Sequence, residues 1–206
     1  EVSVRQHWLT PLADDVTVED FTMEHAATKS QDGAIRTRSG STGAWVQHSN
    51  TTIRNNVLRH AHGAVVSLAG TDVNTSPTNH VVLTGNDISW GGNLCIHGTN
   101  LAGGLIQGNA IHECSTELPA PGYEAGAFKF TVSGGTAIDP LIVAGNDVYH
   151  ANGPGIWCDI RCGVAARSGA TAIEISDNAI HDNIEKVIFF EISGGARIFG
   201  NRVWNN

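Results

Sequence analysis

The stretch that decides the fold is LIVAGNDVYH, Leu141–His150. It holds an apolar Val143, two spacers, Asn146, one spacer and an apolar Val148. The same form recurs as VTVEDFTMEH from Val16, TTIRNNVLRH from Thr51, VVLTGNDISW from Val81 and GLIQGNAIHE from Gly104. It returns again as IEISDNAIHD from Ile173 and ARIFGNRVWN from Ala196. A fixed internal repeat is the signature of a stacked architecture. The asparagine column reads Asn56, Asn86, Asn109, Asn146, Asn178 and Asn201, with Phe21 in the first repeat. Its steps are 30, 23, 37, 32 and 23 residues. The shortest step suits one coil of a parallel β-solenoid, and the longer ones suit a coil carrying an inserted loop. The residue before the column is Asp20, Asn55, Gly85, Gly108, Gly145, Asp177 or Gly200. All of these tolerate positive φ, so the chain turns at the same place in each coil. Stacked at the strand spacing of about 4.8 Å, the asparagines form an internal ladder that satisfies the turn backbone.

A second periodic segment follows in each coil: GAIRTRSG from Gly33, GAVVSLAG from Gly63, GNLCIHGT from Gly92, GAFKFTVSGG from Gly126, GIWCDIRCG from Gly155 and VIFFEISGG from Val187. Aligned on these starts, alternation places Ile35, Val65, Leu94, Phe128, Ile156 and Ile188 inward. It places Thr37, Ser67, Ile96, Phe130, Cys158 and Phe190 inward as well. The expected fold is all-β, a right-handed parallel β-helix of about seven coils with an internal Asn ladder. Its hand follows from the crossover rule. Residues 1–206 read as a single domain, with loops at Ser67–Asn79, Cys114–Glu124 and Arg161–Ala170 that can wall a groove. No polar cap follows the last repeat, which suits a larger parent protein or an end-to-end partner.

Composition agrees. The chain of 206 residues has 24 Gly, 6 Pro and 1 Met, with 16% charged residues and a net charge of -8. That excludes disordered, coiled-coil and long-helix classes. An acidic surface with few lysines argues against nucleic acid as a partner, and no apolar run is long enough to span a membrane. A neutral or cationic partner, a metal ion or a sugar fits better. Cys95, Cys114, Cys158 and Cys162 permit three disulfide pairings, and their spacing does not suit zinc. Disulfides are the favoured reading, which points to a secreted, extracellular or periplasmic location.

The outward positions of the second segment fall into two columns. One runs Arg36, Val66, Cys95, Lys129, Trp157, Phe189; the other runs Arg38, Leu68, His97, Thr131, Asp159, Glu191. Asp159 and Glu191 thus sit on neighbouring coils, about 5 Å apart at the backbone. Facing carboxylates repel and push their proton affinities apart, the condition for acid/base hydrolysis of a glycosidic bond. A separation of about 5 Å suits the retaining route. Trp157 offers a platform for a sugar ring, Phe189 takes the matching place before Glu191, and Lys129 and His97 are candidate substrate contacts. The competing readings are a Ca2+ site at Asp159 and Glu191, and plain salt-bridging of Asp159 with Arg161 or Lys129. Cys158 points inward and reads as core or disulfide. His60 and His150 share one repeat position, which suggests a packing or turn role.

The repeats resemble the pectin-lyase-like right-handed β-helix superfamily over nearly the whole chain. GIWCDI from Gly155, followed by IEISDNAIHDN and VIFFEISGGARIFGNRVW, is similar to the catalytic stretch of β-helical glycoside hydrolases of families 120 and 141. That resemblance implies Asp159 as nucleophile and Glu191 as acid/base, with Trp157 matching the aromatic of the family pattern. The loop Arg161–Ala170 and the Ile192-Ser193-Gly194 stretch depart from the family pattern, and the chain is much shorter. Three functions stand as expectations. The first is a retaining glycosidase on a polysaccharide or oligosaccharide, needing no cofactor. The second is a polysaccharide lyase using Lys129 as base with Ca2+. The third is a non-catalytic glycan-binding or structural module.

Overall fold

The computed structural model describes residues 5–40, 45–69, 78–117, 122–136, 138–163 and 173–206. Each coil crosses three parallel sheets, and the described residues contain strands, turns and bends without a helix. The first sheet stacks Thr17–Glu19, Thr52–Arg54, Thr78–Thr84, Leu101–Gln107, Leu141–Ala144, Ile173–Ser176 and Ala196–Phe199. After a turn, the second stacks Thr22–Ala26, Val57–Ala61, Asp87–Gly91, Ala110–His112, Asp147–Tyr149, Ala179–His181 and Arg202–Trp204. The third, with six strands, stacks Gly33–Arg36, Ala64–Ala69, Leu94–Thr99, Phe128–Thr131, Ile156–Asp159 and Ile188–Phe190. The expected right-handed parallel β-helix is borne out.

Three apolar columns fill the interior. The first sheet gives Val18, Ile53, Leu83, Ile106, Val143, Ile175 and Ile198 in register. The second gives Met23, Leu58, Ile88, Ile111, Val148, Ile180 and Val203. The third gives Ile35, Val66, Ile96, Phe128, Ile156 and Ile188. Parallel strands need crossovers, and a three-sheet coil supplies them while burying one face of every sheet.

The ladder is continuous. Each Nδ2 donates to the next asparagine's Oδ1 at 2.9 Å, from Asn56 through Asn86, Asn109, Asn146 and Asn178 to Asn201. The same Oδ1 also accepts the preceding asparagine's backbone N–H. In the first coil the backbone N–H of Phe21 donates to Asn56 Oδ1 at 3.0 Å. All seven residues before the column have positive φ, from Asn55 at 56° and Asp177 at 55° up to Gly200 at 68°. His60, next to last in the Val57–Ala61 strand, and His150, directly after Asp147–Tyr149, mark the bend at the end of the second-sheet strands, with φ of 63° and 52°. His25, Trp90, Glu113, Asp182 and Asn205 hold the same place and also have positive φ.

The register of the third sheet corrects the sequence alignment in two coils. Gly33 pairs with Ala64 and Ala64 with Leu94, so Gly63 and Gly92 lie before the strands rather than at their starts. Both serve the corner. A Cβ on Gly63 would stand 1.8 Å from Lys29 O, and one on Gly92 would stand 2.2 Å from His62 O. The interior column therefore takes Val66 and Ile96 in place of Val65 and Leu94. Leu68 joins the second interior row, level with Gly98, and Ser67 faces outward, level with Arg36 and His97. Val66, Leu68 and Cys95, expected outside, are buried. Cys95 is covered because it bonds Cys114, closing a loop of sequence separation 19. Cys158 and Cys162 are free buried thiols, and Cys162 Sγ donates to Phe130 O at 3.3 Å.

Candidate functional site

The corrected register assembles the site. One outward row of the third sheet now runs Ser67, His97, Lys129, Trp157 and Phe189. The next runs Thr99, Thr131 and Asp159. Glu191 directly follows Phe190, the partner of Cys158, and its backbone N–H donates to Cys158 O at 2.9 Å. Asp159 and Glu191 therefore occupy neighbouring rungs, as the spacing predicted. His97 belongs beside Lys129 rather than in the row of the two acids, where the sequence alignment had placed it.

Lys129 is the hub. Its Nζ lies 3.1 Å from Asp159 Oδ2 and 3.7 Å from the centroid of the Trp157 ring, and it donates to Tyr123 O. Its three protons are thus directed at a carboxylate, an indole face and a carbonyl, an arrangement built for an ammonium. Asp159 is 8% exposed, and its Oδ1 has no hydrogen-bond partner among the described residues. Glu191 is half-buried and accepts the Trp157 indole N–H at 3.0 Å.

Trp157 is placed differently from the sequence expectation. It is 3% exposed, with Lys129 on its ring and Phe189 stacked at 5.3 Å. With those neighbours it offers no open platform to a sugar and instead ties Lys129, and through it Asp159, to Glu191. Phe189 supports the indole, and Lys186 Nζ lies 4.5 Å from its ring centroid.

A groove of about 440 Å³ opens over these rows. It is lined by Asp159, Lys129, His97, Arg38, Tyr123 and Glu124, with Gln31, Thr99, Thr131 and Ile160. Trp157, Phe189 and Glu191 lie at its side and are not among its lining residues. The loop ending at Glu124 makes one wall, as expected. Glu124 accepts from Ser30 Oγ at 2.7 Å and from Gln31 Nε2, which carries this wall back to the first coil. The expected walls at Ser67–Asn79 and Arg161–Ala170 fall mostly outside the described residues.

His97 joins a polar chain along the groove floor. Its ring nitrogens contact Ser67 Oγ at 3.4 Å and Thr99 Oγ1 at 3.2 Å, and Thr99 Oγ1 lies 2.9 Å from Thr131 Oγ1. Burial, then the charges of Arg38 and Lys129, push its pKa down to about 4, against a smaller opposing effect from the Gln31 backbone. His97 is therefore a neutral hydrogen-bonding group at ordinary pH. Among the described residues, no three His, Cys, Asp or Glu side chains converge as a metal-binding group.

Sequence reasoning missed Gln31, which sits on a turn before the third sheet and carries no chemical signature. Arg38 and Thr131 stood in the outward columns but were given no role, because what covers them comes from other coils.

Residues 16–206 match the family model described as the right handed beta helix region. No curated protein matches. Among solved structures, the chain is similar to a complex of XylC with xylose, with a TM-score of 0.72 and 18% identity, covering 95% of this chain and 33% of that one. The chain thus spans about a third of that protein's length. At this identity the likeness shows the fold.

Proposed function

We propose that this chain, which belongs to the right-handed β-helix family, is a carbohydrate-active protein that cleaves glycosidic bonds by a retaining two-carboxylate mechanism. One observation carries the reading: Asp159 and Glu191 stand on adjacent rungs beside a groove, each held by a different group. Backbone neighbours about 4.8 Å apart suit the roughly 5 Å carboxyl separation of retaining enzymes. Asp159 acts as nucleophile: Lys129 anchors its carboxylate through Oδ2, and the residue lines the groove in which the anomeric carbon would lie. Glu191 protonates the leaving oxygen, then removes a proton from the water that releases the sugar. The Trp157 indole N–H fixes the Glu191 carboxyl. The similarity to a protein solved with xylose supports a saccharide as the ligand class.

Lyase chemistry through Lys129 receives no support from the geometry, because its ammonium protons are engaged by Asp159, Trp157 and Tyr123. The test is hydrolysis of a panel of aryl glycosides, pyranosides and furanosides of both anomers, by the wild-type protein and by Asp159→Ala and Glu191→Ala. Turnover of at least one glycoside, lost by a factor of a thousand or so in both variants, is the expected result. Turnover that survives either substitution, or none on the whole panel, rejects the mechanism.

A further inference from the structure

Away from the groove, three chemistry-bearing side chains meet at the corner between the third and first sheets of the first coil. Ser39 ends the short strand Arg38–Ser39, which pairs antiparallel with Val46–Gln47. Ser39 lies opposite Val46, and His48 follows two residues later, held to the hairpin by its N–H to Thr37 O at 3.0 Å. A spacing of two puts Ser39 and His48 on one face of the hairpin. Arg38, one residue earlier, faces the groove from the other side. Ser39 Oγ lies 2.9 Å from His48 Nε2, and His48 Nδ1 lies 3.7 Å from Asp14 Oδ1. The same Asp14 oxygen accepts the Ser49 backbone N–H at 2.9 Å, which fixes the carboxylate beside the ring.

A buried hydroxyl bonded to an imidazole is by itself ordinary packing. Here both ring nitrogens have partners, in the order that nucleophilic catalysis requires. An Nδ1–H aimed at Asp14 leaves the Nε2 lone pair to take the Ser39 proton. Asp14 is the loosest member, with its side chain 59% exposed and its oxygen beyond hydrogen-bond length. Catalytic contacts of this kind are commonly long before substrate binds and tighten in the complex. Gly40 follows Ser39 directly, past the end of the ladder and with φ of 91°, a conformation that suits glycine. Its N–H is the nearest in sequence for meeting an oxyanion formed at Ser39. Ser39 is 7% exposed, so only a small acyl group reaches its Oγ.

We propose that Ser39, His48 and Asp14 form a second catalytic site, separate from the groove, that hydrolyses short-chain carboxylic esters of the acetyl type. Ser39 Oγ bonds to the ester carbonyl carbon as its proton passes to His48 Nε2. The bond from that carbon to the alcohol oxygen then breaks, and His48 returns the proton to the leaving alcohol. Water adds to the acyl-serine by the same steps, which frees the carboxylic acid and restores the serine. Asp14 touches no reacting atom; it is a positioning residue that orients the imidazole and stabilises its cation. The site is independent of Asp159 and Glu191 and of the glycosidase reading.

The experiment is labelling of the full chain with diethyl p-nitrophenyl phosphate, read by peptide mass spectrometry, alongside hydrolysis of p-nitrophenyl acetate and p-nitrophenyl octanoate. The wild-type protein should carry one diethylphosphoryl group on Ser39, a result that needs no variant. Acetate should turn over at least tenfold faster than octanoate. Ser39→Ala and His48→Gln should each bring acetate hydrolysis down to the rate without protein, with circular dichroism that matches the wild type. Water screens the exposed Asp14 carboxylate, so Asp14→Asn should lower kcat only about tenfold with KM unchanged, and Asp14→Glu should recover part of it. No phosphoryl group on Ser39, no acetate hydrolysis above the rate without protein, or hydrolysis that survives Ser39→Ala in folded protein overturns the site. An unchanged kcat in Asp14→Asn overturns the role of Asp14.

Discussion

Replacing Lys129 with Met is the sharpest test of how the site is built. The substitution keeps the length of the aliphatic stem and removes the ammonium. It deletes the 3.1 Å ion pair to Asp159, the bond to Tyr123 O and the charge 3.7 Å from the Trp157 ring centroid. Asp159 is 8% exposed and its Oδ1 already lacks a partner, so the whole carboxylate is stranded. Removing one member of a buried pair costs about 3–5 kcal/mol, mostly as uncompensated charge. The lost cation–π contact adds about 1 kcal/mol. The expected loss is thus about 5 kcal/mol at pH 7.5, measured by urea unfolding followed by circular dichroism. Asp159→Asn in the Lys129→Met background should recover about half, because a neutral amide is cheaper to bury. A loss under about 1.5 kcal/mol refutes a buried charge pair at the centre of the site.

Three further outcomes follow from the same structure. Burial and neighbouring charges push the pKa of His97 down to about 4 from 6.5. Its stabilising contribution is therefore complete above pH 6.5 and lost as pH falls through 4. His97→Gln should flatten wild-type stability between those values by up to about 3 kcal/mol, read from unfolding curves at a series of pH values. Asn109→Leu removes the acceptor of both Asn86 N and Asn86 Nδ2 and the donor to Leu83 O and Asn146 Oδ1. It should cost about 3–5 kcal/mol, while Asn201→Leu, on the half-exposed last rung, should cost about 1 kcal/mol. Reduction of Cys95–Cys114, or its double replacement by Ala, should lower stability by about 3 kcal/mol for a loop of separation 19.

The seven-fold repeat made the coils, the turns and the ladder legible, because each depends on one residue type recurring at one place. Asn56, Asn86 and their successors can only stack, and Asp20, Asn55 and the glycines can only turn, if the coils superpose. The adjacency of Asp159 and Glu191 was legible for the same reason, since both strands keep the same length after the bend. The register of the second and third coils was not. Gly63 and Gly92 resemble the strand-start glycines Gly33 and Gly126, yet they lie at corners where another backbone passes too close for a Cβ. The slip is one residue at Gly63, which turned Ser67 outward and Val66 and Leu68 inward as a period of two requires, and two residues at Gly92, which left Leu94 and Ile96 on the same face. The roles of Trp157 and Arg38 depend on what covers them. Phe189 and Lys129 close over Trp157, while Trp45 lies under Arg38 and, among the described residues, Asp32 pairs with Arg36 and His7 instead. Such contacts come from several coils at once, and no local pattern encodes them.

The central claim is that the Asp159 carboxylate attacks a sugar while Glu191 supplies and takes the proton. Incubating the protein with 2-deoxy-2-fluoroglycosyl fluorides, which form the glycosyl-enzyme bond and release it slowly, tests this by peptide mass spectrometry. The account predicts one added sugar on the peptide containing Asp159, absent in Asp159→Ala. A sugar bound to any other residue, or no adduct from glycosides that the protein demonstrably hydrolyses, would contradict it.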